Sequence, residues 1–352
     1  MQWAKTSSQA KYNLASSGVM PYPLKDLGVS IEDLEISGPT IYGYAPLQKA
    51  LAEKCGVPED SVAAAIGTSM ANHLALAGLL ESGDEVLIEQ PTYEPLLAVA
   101  KYLGASIKRF SREFEQGFQI FPDEIRKRVT SKTKLIVITN LHNPSGVHTD
   151  DKTLRTVGEI AKEAGARVLV DEVYLECIYP DAGKKYSAFH LGNQFVTTGS
   201  LTKAYGLSGL RCGWILAEPD LIRNFQYLND LFAATPPHAA ELLSVIALQQ
   251  LPRIAERGKR LLQSNRALFE KIVDFVNYFL DIVFPQYGTI IFPRLKSGNG
   301  ERFVELLRTD YDTSVVPGSF FQMPDHFRMG LGGPTENVQQ ALQNLKMALR
   351  GL

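Results

Sequence analysis

The sequence has few cysteines, no sustained apolar run and almost no excess charge. Its three cysteines, Cys55, Cys177 and Cys212, lie far apart among 352 residues. Being few, distant and odd in number, they exclude a disulfide framework and a zinc ribbon as the organising feature, and a reducing cytoplasm suits them best. No apolar run reaches about 18 residues, so no transmembrane helix is expected. The opening ten residues are polar and lack the apolar centre of a secretion signal. The 36 lysines and arginines nearly balance the 38 aspartates and glutamates. The resulting formal net charge of −2 leaves no electrostatic footprint for nucleic acid or an anionic membrane. Six histidines occur without metal-ligand spacing, so no metal site is expected. No internal repeat or low-complexity segment is present.

What remains is ordinary globular composition, 45% hydrophobic and 21% charged, long enough for a large core and two domains. Apolar runs that read as strands recur at 85–89, 106–110, 134–139, 167–170, 195–198 and 213–217, after a short apolar stretch at 62–66. Helical patterns stand between many of them, at 93–103, 122–130 and 151–164. Such alternation predicts an α/β fold with a mainly parallel sheet covered by helices. The pattern changes after Thr235-Pro236-Pro237. A long helical region over 238–278, with room for a bend, precedes short strands at 289–292, 313–316 and 327–331. An amphipathic helix over 337–349 closes the chain. This second part reads as a smaller α+β domain.

The most informative stretch is Ser200-Leu201-Thr202-Lys203-Ala204-Tyr205-Gly206-Leu207-Ser208-Gly209-Leu210-Arg211-Cys212-Gly213. Lys203 follows a buried-strand pattern and sits among small and apolar residues, with an arginine eight positions on. That setting favours the neutral amine, which attacks aldehydes to form a Schiff base. The hydroxyls of Ser200 and Thr202 and the forked donors of Arg211 suit a phosphate. An amine nucleophile beside a phosphate clamp is what pyridoxal 5'-phosphate requires. Open parallel sheets gather ligands at the carboxyl ends of their strands. Asn143 and Asp171 fall at such ends, as does Lys203. Gly67-Thr68-Ser69 opens a helix after the 62–66 stretch, where backbone N–H groups bind anions. Arg328 lies inside an apolar strand pattern, where an arginine calls for an anionic partner. The glycines at 206–213 do not form the Gly-x-Gly-x-x-Gly of a nicotinamide site.

Together these segments resemble the class I/II aminotransferases, the fold type I pyridoxal-phosphate enzymes. Ser-x-x-Lys followed by Gly-x-Arg-x-Gly matches the family throughout, except that Cys212 stands where an aliphatic residue is more usual. The resemblance spans about residues 13–350. It implies a large domain with a seven-stranded sheet over 41–236 and a small domain from 1–40 and 237–352, without a long N-terminal arm. It further implies that Lys203 forms the internal aldimine and serves as base, and that Asp171 keeps the pyridine nitrogen protonated. Tyr93 would stack on the ring, and Asn143 and Tyr174 would face its phenolic oxygen. Gly67, Thr68, Ser69, Ser200, Thr202 and Arg211 would form the phosphate cup. Arg328 and Asn143 would take the substrate carboxylate, with Gly18 in a loop closing over it. Tyr42, with Tyr44 as a rival, would reach the phosphate of a neighbouring subunit, which makes a homodimer the expected assembly. Asn143-Pro144-Ser145-Gly146 also reads simply as a turn, and the neighbouring His142 as a loop histidine without a special role. The implied reaction moves an amino group between an L-amino acid and a 2-oxo acid. A β-lyase, decarboxylase or cyclising synthase using the same cofactor is the alternative.

Overall fold

The computed structural model describes residues 3, 6, 8–39, 41–178 and 186–351. After a two-residue strand β1 (Tyr12–Asn13) and helix α1 (Ala45–Cys55), the chain lays down β2 (Val62–Ile66), α2 (Gly67–Leu79), β3 (Glu85–Gln90), α3 (Glu94–Tyr102) and β4 (Ser106–Ser111). It continues through β5 (Thr133–Thr139), α4 (Asp151–Glu163), β6 (Arg167–Asp171), β7 (Phe195–Ser200), β8 (Cys212–Leu216) and α5 (Pro219–Asn229). The seven strands β2–β8 form one sheet in the order β2-β8-β7-β6-β5-β3-β4. Strands β3–β7 pair in parallel, while β8 runs antiparallel to both β7 and β2. The central strands read as unbroken apolar runs because helices cover both faces. Leu135–Ile138 and Val168–Val170 are accordingly sealed from solvent.

The antiparallel strand has a consequence for the site. Its first residue lies at the edge where the parallel strands end, and Cys212 pairs with Ile66. Arg211, just before β8, therefore arrives beside Gly67, just after β2. The same edge receives Asp171 at the end of β6, Lys203 after β7 and Asn143 after β5.

The later part comprises α6 (His238–Gln249), α7 (Leu251–Glu270), β9 (Leu280–Asp281), β10 (Ile290–Ile291), β11 (Arg294–Leu295), α8 (Gly300–Asp310), β12 (Thr313–Ser314), β13 (Val316–Pro317), β14 (Phe327–Gly330) and α9 (Thr335–Arg350). Leu14, Phe269, Ile291, Phe303, Phe327, Leu342 and Leu345 share its core. Several expected elements are shorter. The helix read over 122–130 ends at Arg126. The region 238–278 is three helices, broken first at Gln250 (φ −108°, ψ 10°), where Pro252 enters the first turn of α7 without an N–H to continue α6. The strand read over 313–316 splits because β12 pairs with β1 while β13 pairs with β14.

The segment after β1 bridges the two parts. Gly330 N–H donates to Leu14 O (2.7 Å), Thr289 Oγ1 to Ser17 O (2.7 Å), Val19 N–H to Lys203 O (2.8 Å) and Met20 N–H to Gly332 O (2.7 Å). Among the described residues no helix is long and apolar enough to cross a membrane.

Candidate active site

A cavity of about 590 Å³ opens where this segment, the sheet edge and β14 meet. Thr68, Ser69, Tyr93, Asn143, Asp171, Tyr174, Ser200, Thr202, Lys203, Arg211 and Arg328 all line it. Gly67 and Gly18 lie directly behind the lining. A Cβ added to Gly67 would stand 2.2 Å from Arg211 Nη2, and one added to Gly18 would stand 3.2 Å from Lys203 Cα. Residues spread over more than three hundred positions of sequence thus converge on one space.

At one end, α2 points its N-terminus at the Arg211 guanidinium. Gly67 N–H donates to Arg211 O at 2.6 Å, and Arg211 itself takes a left-handed conformation (φ 51°) to bring this about. Among the described residues the Arg211 guanidinium hydrogen-bonds only to carbonyls, Ile66 O and Ser208 O, each at 3.4 Å. Thr68 Oγ1 is buried without a hydrogen-bond partner among the described residues. A buried hydroxyl without a partner and an arginine without a carboxylate among the described residues, set at a helix start, are the fittings of an anion site.

On the floor, Asp171 is buried, at 2% exposure. Burial pushes its carboxyl up; hydrogen bonds from Asn72 Nδ2 (2.8 Å) and Val173 N–H (3.0 Å), with the Lys203 cation, pull it back. Burial likewise raises the Tyr93 hydroxyl, reinforced by Tyr174 and Asp171. Lys203 is half-buried rather than sealed, because its amine faces the cavity; Nζ donates to Ser17 Oγ at 3.0 Å. Arg328 is 8% exposed, and burial lowers its pKa against the influence of Tyr174 and Tyr93. Its contacts are neutral acceptors, Asn143 Oδ1 at 2.9 Å and Ala15 O at 3.5 Å. The anionic partner expected for a buried arginine is thus not supplied by any carboxylate among the described residues.

Tyr42 is placed elsewhere. It lies outside this cavity, 53% exposed, with its hydroxyl donating to Asp230 at 2.6 Å and its ring edge-on to Tyr227. Tyr44 packs edge-on to His238. His142 is sealed beneath the site between Ser145 Oγ (2.6 Å) and Pro91 O (3.0 Å), and burial holds its pKa well below the usual range. It does not line the cavity.

The family model "Aminotransferase class I and II" matches residues 32–345. The chain belongs to this family. Its relatives include a capreomycidine synthase from Streptomyces vinaceus, 26% identical over 95% of this chain and 88% of that protein. An aspartate aminotransferase from Pyrococcus abyssi is 27% identical over 94% of this chain and 88% of that protein. Among solved structures, a PLP-dependent aminotransferase from Streptococcus suis superposes with a TM-score of 0.91 at 26% identity, covering 99% of this chain and 96% of that one. The α/β fold and the cofactor class expected from the sequence therefore stand for this aminotransferase-family chain. The cavity fits that cofactor, with an unpartnered anion site at one end, a carboxylate on the floor and an amine beside it.

Sequence reasoning missed several lining residues: Asn72, and Ser8, Asn13, Ala15, Ser16 and Ser17 from the bridging segment. Asn72 carried at most a faint signal, an amide beside His73 in the otherwise largely apolar middle of α2. The bridging segment carried little, because its place depends on backbone bonds to distant strands.

Proposed function

We propose that the protein is a pyridoxal-phosphate-dependent aminotransferase that moves an amino group between an L-amino acid and a 2-oxo acid, with Lys203 as its reactive amine. The observation that carries this reading is the convergence of Lys203, Asp171, Arg211 and a carboxylate-free Arg328 on one cavity. When bound, the cofactor supplies an electrophilic aldehyde and a ring that draws electrons from the substrate α-carbon.

The chain's own residues divide the remaining work. Thr68, Ser69, Ser200, Thr202 and Arg211 would hold the phosphate, with Gly67 leaving room for the guanidinium. Asp171 would keep a proton on the pyridine nitrogen. Asn143 and Tyr174 would donate to the phenolic oxygen, and Tyr93 would pack against the ring. Arg328 grips the substrate carboxylate with two parallel N–H donors, assisted by Asn143. Lys203 Nζ would be the amine that holds the cofactor's aldehyde, and as general base it would take the proton from the substrate α-carbon. Ser17, within hydrogen-bond reach of Nζ, orients the amine, and Gly18 lets the bridging segment close against Lys203. Apart from Lys203, Arg211 and Arg328, no lysine or arginine among the described residues lines the cavity.

Tyr42, exposed and outside its own chain's cavity, supports a homodimer in which it reaches the neighbour's phosphate. Residues 41–236 make up the cofactor-binding domain, and 1–40 with 237–352 the small domain. Three free cysteines suit a cytoplasmic setting.

Purified protein given pyridoxal phosphate is expected to turn yellow and to follow ping-pong kinetics with a 2-oxo acid acceptor. Lys203→Ala should lose turnover by several orders of magnitude. A fully active Lys203→Ala protein would end this reading. The relative named capreomycidine synthase favours one alternative, a synthase that begins with the same residues. Product formation that needs no 2-oxo acid would select it.

A further inference from the structure

Asp171 is held by two donors from its own chain. Val173 N–H donates to Oδ1 at 3.0 Å, and Asn72 Nδ2 donates to Oδ2 at 2.8 Å. The Asn72 amide is fixed in turn, since Thr198 Oγ1 donates to its Oδ1 at 2.6 Å. Thr198 is the register partner of Asp171 across β6 and β7. The three residues are 5%, 0% and 2% exposed in the order Asn72, Thr198, Asp171. Chemistry sets the sense of the amide. Turning it over would face its oxygen against a carboxylate and replace a charge-assisted hydrogen bond with a repulsion.

We propose that Asn72 is a positioning residue for the reaction, keeping Asp171 ionised and aimed into the cavity, with Thr198 locking the Asn72 amide. The inference rests on the aminotransferase reading, in which Asp171 faces the ring nitrogen. A buried carboxyl without donors takes up a proton, and each hydrogen bond to its charged form opposes that. A neutral Asp171 would no longer keep the ring nitrogen protonated, and electrons at the substrate α-carbon would be drawn off less strongly.

An amide suits this task better than a cation. A lysine at the same place would cancel the carboxylate charge that the ring nitrogen needs, whereas Asn72 donates and leaves the charge intact. Two of about four lone-pair sites on Asp171 are filled by Asn72 and Val173. The remainder are free for a ring N–H. Helix α2 then serves both ends of the cofactor, through its N-terminal residues at the phosphate and through Asn72 behind the carboxylate.

The test compares Asn72→Leu, Asn72→Asp and Thr198→Val with the parent protein. Removing a hydrogen bond to a buried charged group is expected to lower kcat about 10- to 100-fold. KM should change less than about threefold, because Arg328 still holds the substrate. Cofactor affinity should weaken in the same order of variants. Asn72→Asp should be the most impaired despite its matching shape, since it faces one carboxylate with another; Thr198→Val should be the mildest. In cofactor-free protein, the Asp171 carboxyl followed by carbon-13 NMR should hold its proton to higher pH in Asn72→Leu. An unchanged carboxyl titration, or Asn72→Asp retaining the parent's kcat and cofactor affinity, would overturn the inference. If Asn72→Leu folds poorly, the isosteric Asn72→Asp still decides it. A parent protein that takes up no pyridoxal phosphate would overturn the aminotransferase reading and this inference together. That failure shows in the parent, before any variant is compared.

Discussion

An alanine at Gly67 would place its Cβ 2.2 Å from Arg211 Nη2 and would have to hold φ at 70°. The left-handed backbone alone costs about 1–2 kcal/mol for a residue with a side chain, and the guanidinium would also be pushed off the helix start. Gly67→Ala is therefore expected to weaken pyridoxal-phosphate binding at least about tenfold while leaving the far end of the cavity intact. Equilibrium dialysis against the cofactor reads this directly, and unchanged affinity would show that the Gly67–Arg211 contact does not shape the phosphate site. Residues such as Gly67, Lys203 and Arg211 were legible because each belongs to a short motif whose spacing limits its chemistry. Asn72 and Ser17 were not, because each acts through a partner about a hundred or more positions away.

Among the elements, the ends of β3 and β4 are joined by a fully buried ion pair. Arg112 Nη1 meets Glu89 Oε2 at 2.9 Å, and Arg112 Nε donates to Phe118 O at 2.7 Å. The other Glu89 oxygen accepts from Thr139 N–H (2.7 Å) and Thr139 Oγ1 (2.6 Å). Thr139 Oγ1 in turn receives Asn143 N–H at 2.9 Å. The pair thus fixes the loop that carries Asn143 to the cavity. Arg112→Met would strand a buried carboxylate and is expected to cost on the order of 3–5 kcal/mol, measured by urea unfolding. Arg112→Met combined with Glu89→Leu should recover part of that loss. A single variant as stable as the parent would show that the pair contributes nothing. The strands were readable as apolar runs. The pair was not, because Glu89 and Arg112 look like ordinary strand-end charges until β3 and β4 lie side by side. Nor did periodicity reveal that β8 runs antiparallel, although this reversal brings Arg211 to the site.

For the whole molecule, stability should fall in mild acid partly through one residue outside the site. His326 is buried with neither ring nitrogen hydrogen-bonded among the described residues, and its ring stacks on Phe292 with centroids 4.8 Å apart. Burial first, and then the Arg294 cation, lower its pKa to about 4. In the unfolded chain it would titrate near ~6.5. Between these values the unfolded state binds a proton that the folded state refuses, so stability is lost as pH falls from about 6.5 towards 4. The contribution is on the order of 3 kcal/mol. His326→Phe should flatten that part of the stability profile relative to the parent. Parallel profiles for the two proteins would refute the assignment.

By itself, the sequence determined the α/β character of the first two hundred or so residues and the family, and it named the candidate site residues. Each of these depends on local spacing: apolar runs of strand length, helical periods between them and short motifs at the strand ends. The tertiary structure alone decided that the segment near Ser17 lies against Lys203, that Asn72 stands behind Asp171 and that Arg328 reaches the cavity without an acid. These contacts join residues a hundred to three hundred positions apart. Their energy comes from buried groups that find partners only when the sheet edge, α2 and β14 are packed together.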